Sequence, residues 1–129
     1  MKSGLELHDS RVDEVEVSGS DATVHFSHAY IHKSKGTPGK DPGTGWSQEA
    51  LLVLSDVAVN GPLPTLPNTI SDGFLEVGGV KRTLLILPLK SKAEARLHLV
   101  FADGGCLEII GKRPAVELLG RAIFVEDLT

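Results

Sequence analysis

Apolar residues recur at every second position over much of this chain, the periodicity of strands and not of helices. Val15 and Val17 alternate with Glu14 and Glu16, and beyond Ser18-Gly19-Ser20-Asp21 the set Ala22, Val24, Phe26, His28 and Tyr30 occupies alternate positions. The intervening residues tolerate positive φ or bond their own backbone, so the two runs predict a hairpin. Residues 49–59 form an apolar run with little polar alternation, a pattern shared by a strand covered on both faces and a short helix, and β-branched Val53, Val57 and Val59 tilt it to strand. Pro62, Pro64 and Pro67 then turn residues 60–73 into a long crossing loop, because each proline removes a backbone donor.

Gly78-Gly79 separates two further strand-like runs, as a two-residue hairpin turn requires, and Pro88 ends the second of them. The alternation of Ala93, Ala95, Leu97, Leu99 and Phe101 against Glu94, Arg96 and His98 is the cleanest amphipathic strand. Asp103-Gly104-Gly105 reverses it into a partner over residues 106–110, and residues 122–125 supply a last strand. Only residues 114–120 look helical, with proline at a first-turn position and Gly120 as a C-terminal cap. The expected fold is therefore all-β: one domain over residues 1–129, an antiparallel sandwich or barrel of about seven to eight strands with at most one short helix.

Composition narrows the class. With 41% hydrophobic and 23% charged residues, the chain has the make-up of an ordinary packed domain. A net charge of −4 without a basic stripe argues against nucleic acid. The start of the chain lacks a signal-peptide core and no run of 18 apolar residues occurs, so the expectation is a cytoplasmic protein without membrane association. Cys106 is the single cysteine, which excludes an internal disulfide and suggests a buried thiol.

The candidate chemistry gathers around four of the five histidines, His8, His25, His28 and His32. His28 and His32 share a strand face with His25 on the other, but side chains four residues apart on a strand stand about 13 Å apart, too far to ligate one zinc ion directly. No metal and no cofactor is expected. Leu7-His8-Asp9-Ser10 contains the ingredients of a nucleophilic relay, yet adjacent strand residues point to opposite faces, and Asp9 and Ser10 suit a turn better. The lysine- and glycine-rich stretch 33–45 departs from a phosphate loop, because Gly39-Lys40 is followed by Asp41-Pro42 and no hydroxyl. It reads as a mobile 13-residue connection, flanked by Tyr30 and Trp46, the only tyrosine and tryptophan.

The opening Leu7-His8-Asp9-Ser10-Arg11-Val12, two alternating strands and the later Phe101-Ala102-Asp103-Gly104-Gly105 turn resemble small uncharacterised bacterial all-β proteins, a type that includes immunity proteins paired with polymorphic toxins. The resemblance implies a fold and a binding role, supplies no catalytic residues, and leaves loops 33–45 and 60–73 outside it. The sequence thus leads to a non-enzymatic module that binds a protein partner or forms a homo-oligomer. The alternative is a small-molecule or metal binder, or an enzyme, built from His8, Asp9, His28, Tyr30, His32, Lys40 and Trp46. It requires those side chains to converge in one concave site.

Overall fold

The computed structural model describes residues Met1–Thr129 and contains eight strands and no helix. They are β1 (Lys2–Ser18), β2 (Asp21–Ser34), β3 (Gly43–Asn60), β4 (Asn68–Val77), β5 (Val80–Arg82), β6 (Leu84–Leu87), β7 (Glu94–Phe101) and β8 (Cys106–Leu128). All pair antiparallel in the order β5-β4-β7-β8-β3-β2-β1-β6. A further pairing of Arg11 and Val12 with Thr69 and Asn68 joins β1 to β4, so six strands close into a ring. This contact covers the outer edge of β1 at Arg11 and Val12, while residues 13–18 of β1 have β2 as their one neighbour.

Twenty apolar side chains fill this ring, among them Leu5, Leu7, Phe26, Ile31, Leu52, Leu97, Leu99 and Phe101. The expected hairpins form at Ser18-Asp21, at Gly78-Gly79 and at the turn between Phe101 and Cys106. Along β7, Ala95, Leu97, Leu99 and Phe101 are buried, as their alternation predicts.

Bulges, which a period-two pattern does not reveal, shape the rest. In β1 the ladder to β2 breaks between Glu6 and Arg11, with Asp9 at φ 70°. Before the break the outer edge of β1 pairs with β6, and after it with β4, so the bulge lets one strand change partners. In β2 the ladder to β3 slips between Phe26 and Ala29. Ala22, Val24 and Phe26 face the core before the slip, and Ala29 and Ile31 after it. The predicted alternation therefore holds only to Phe26, and Tyr30 and His32 emerge on the outer face that His25 also occupies.

The expected helix over residues 114–120 is instead part of β8. Pro114 lies where the β3 ladder skips between Lys112 and Ala115, next to Arg113 at φ 53°, and Gly120, at φ 66°, lies in a second irregularity. Proline and glycine mark bulges in a long strand here, since a bulge needs neither the missing N–H nor a right-handed φ. The run at residues 49–59 alternates: Ala50, Leu52 and Leu54 are buried, while Leu51 and Val53 stay half-exposed on the uncovered face. The long proline loop shrinks to residues 61–67, because Asn68 already begins β4.

The connection after β2 also shortens, to residues 35–42, and is tightly bonded. Buried Ser34 donates to the Pro42 carbonyl and accepts from Gly36 N–H, the Asp41 carboxylate accepts from Thr37 N–H, and Pro38 packs beside Gly4. Asp41, the residue that breaks the phosphate-loop pattern, is thus the one that ties this turn together. Cys106 is exposed, not buried, because it starts β8 outside the core.

Candidate functional site

A polar row crosses four strands on the outer face. Register places Glu6 of β1 opposite Tyr30 of β2, His32 opposite Gly45 of β3, and Gly45 opposite Glu126 of β8. Gly45 leaves a gap that Tyr30 uses: its hydroxyl passes over β3 and donates to Glu126 Oε2 at 2.7 Å. A Cβ at Gly45 would collide with that hydroxyl. His32 Nε2 lies 2.9 Å from Glu6 Oε2, and the His32 and Tyr30 rings meet edge to face at 5.0 Å. Burial, the hydrogen bond to Glu126 and the negative charges of Glu126, Glu6 and Asp9 hold the Tyr30 hydroxyl well above the ordinary phenol range. Tyr30 is consequently a protonated donor and not a proton acceptor at neutral pH.

The β1 bulge brings His8 and Asp9 together, 3.2 Å apart, against the expectation that they face opposite ways. The positive φ of Asp9 is the reason. Both side chains are more than half exposed. Ser10, the hydroxyl of the supposed relay, is completely buried; it donates to the Glu6 carbonyl and accepts from Tyr30 N–H. It brackets the gap in the ladder, so both its bonding directions are occupied by backbone and none remains for nucleophilic chemistry.

The other candidates scatter. His28 is exposed, with Nδ1 3.2 Å from Ser47 Oγ. Lys40 and His32 border one open recess of about 580 Å³ with Asp41, Asp127 and Thr129. Trp46 faces the opposite side of the sheet, packed edge-on against Phe124 with the Lys33 ammonium 4.5 Å from the ring centroid. The seven residues therefore do not share one pocket. His25 lies between two carboxylates, Asp13 at 2.9 Å and Glu49 at 2.5 Å, as a cross-strand clasp linking β1, β2 and β3. No group of three histidine, cysteine or acidic side chains is arranged to hold a metal ion.

A different feature was hidden from the sequence. β8 pairs on both sides up to Val116, whose N–H bonds the Leu89 carbonyl. Residues 117–128 pair with β3 alone, leaving the other edge open. On this segment Ile123, Phe124 and Val125 are 64%, 51% and 48% exposed. Four apolar residues in succession, 122–125, signalled a strand in the sequence, but only the strand order reveals that the strand has a free edge. The chain matches no family model, no curated protein and no solved structure.

Proposed function

We propose that this β domain is a non-enzymatic protein-binding module whose docking element is the free edge of β8 between residues 117 and 128. One observation carries the reading: an unpaired strand edge coincides with consecutive exposed apolar side chains, Ile123, Phe124 and Val125. Unpaired N–H and C=O groups on such an edge accept an added strand, and the neighbouring side chains contribute apolar contact. Other exposed large apolar side chains, among them Val17, Leu63, Val80, Ile86, Ile110 and Leu118, occur singly, whereas Ile123, Phe124 and Val125 are consecutive. The occupied hydroxyl of Ser10, bonded in both directions to backbone, supports a binding role over a nucleophilic one.

The test is selection from a displayed random-peptide library on the intact protein. Extended apolar peptides that bind it but not an Ile123→Lys variant are the expected result. If every selected peptide binds wild type and Ile123→Lys equally, the edge is not a docking element and the reading fails.

A further inference from the structure

The geometry points to a second copy of this chain as the occupant of the β8 edge, paired antiparallel about a two-fold axis at Ile123. This rests on the reading of that edge as a docking element and adds its partner and register. An antiparallel two-fold pairing must be self-complementary, because every residue meets its symmetry mate's counterpart on the same sheet face. Which residues share a face is therefore decisive.

Relative to β3, Ile123 lies opposite Ser47, Phe124 opposite Trp46 and Glu126 opposite Gly45. Val125 is the extra residue, so the bulge puts Ile123 and Glu126 on one face although they are three positions apart. Arg121 belongs to that face too, since it borders the outer depression formed with His28, Ser47, Glu49 and Ile123. Without the bulge, Arg121 and Glu126 would lie on opposite faces and could not meet across a dyad.

Glu117 and Leu119 share this face as well, opposite Leu51 and Glu49, and the candidate registers differ in which of these residues lies on the axis. A dyad at Arg121 would oppose two arginines, and a dyad at Glu126 two glutamates, both like-charge contacts that destabilise strand pairs. A dyad at Ile123 sets the two isoleucines against each other and brings each Arg121 opposite Glu126 of the partner subunit. Arg121 has no ion-pair partner within its own chain. Glu126 gives Oε2 to Tyr30, and its other oxygen makes no hydrogen bond within the chain. Charge and apolar contact are thus matched at Ile123, the most exposed large apolar side chain of the free edge, whereas a dyad at Leu119, which would also set Glu117 against Arg121, falls on a half-buried leucine beside the irregularity at Gly120. A strand-edge interface this short falls at the small end of specific interfaces, so the dimer dissociates on dilution.

Size-exclusion chromatography with light scattering over a concentration series tests the pairing. Wild type is expected to rise from monomer to twice the chain mass as concentration increases. Arg121→Glu alone and Glu126→Arg alone are expected to stay monomeric, and their equimolar mixture to dimerise, because each charge then meets its opposite. Should Glu126→Arg fold poorly, Glu126→Gln keeps an acceptor for Tyr30 and is expected to weaken the dimer. In a Cys106→Ser background, Ile123→Cys is expected to form a disulfide-linked dimer with oxidised glutathione, since the two cysteines face each other at the dyad. A wild type that stays monomeric throughout overturns the second copy as occupant, while edge-dependent peptides from the library would leave the docking reading intact. A wild-type dimer abolished by Ile123→Lys, with no rescue in the charge-reversed mixture, overturns the register alone. A dimer unaffected by Ile123→Lys overturns both.

Discussion

Replacing Ser10 with alanine tests whether the β1 bulge, and with it the change of partner that closes the ring, depends on one buried hydroxyl. Ser10 is fully buried, and its Oγ donates to the Glu6 carbonyl while accepting from Tyr30 N–H at 2.9 Å. The substitution removes two hydrogen bonds, each worth about 1 kcal/mol net, and leaves backbone groups in a region where a serine had satisfied them. An unsatisfied buried group costs roughly 1–3 kcal/mol, so the expected loss is about 3 kcal/mol, a large share of the roughly 5–15 kcal/mol typical of a domain. For a chain of this size that lowers the midpoint by roughly 10 °C. Urea unfolding followed by fluorescence of the single tryptophan, Trp46, measures it, because Trp46 packs against Phe124 only in the folded sheet. Asp9→Gly is the companion: glycine accepts the positive φ at that position, so its stability should change by less than about 1 kcal/mol. If Ser10→Ala unfolds within about 0.5 kcal/mol of wild type, the paired rows on either side hold the bulge unaided and the bracket argument is wrong.

The single tyrosine makes its own titration readable by ultraviolet absorbance. Tyr30 has its folded-state value raised, so above the ordinary phenol value of about 10 the unfolded chain releases a proton that the folded chain keeps, and stability falls as pH rises. The phenol should stay un-ionised in the folded protein at about pH 11 and ionise on unfolding; ionisation at the ordinary value in the folded state would contradict the placement over Gly45. Gly45→Ala should displace the hydroxyl from Glu126 and bring the titration back toward the ordinary range, measured the same way. Leu97→Ala, at a fully buried position of β7, should cost about 2–5 kcal/mol in urea unfolding through lost apolar contact and a cavity. Exposed Cys106 should react with a thiol reagent without denaturant, one equivalent per chain, whereas a thiol in the core would not.

The strand class, the position of most hairpins and the core face of β7 were legible in the sequence because side chains alternate with a period of two along any strand, whatever it pairs with. The same rule failed where the ladder slips. Phe26 and Ala29 both face inward across the β2 bulge, which moved Tyr30 and His32 to the outer face, and Pro114 and Gly120 read as helix ends when they occupy bulges. A bulge is decided by how two strands fit together, so one strand's pattern does not contain it. Tertiary structure alone put Glu6 and Glu126, 120 positions apart in the chain, on one polar row spanned by Tyr30 and His32. It alone left residues 117–128 with one neighbour instead of two. The sequence determined that these residues form strands, because local alternation suffices for that; which strand edge remains open depends on the order in which all eight strands pair, a non-local choice made by packing the core.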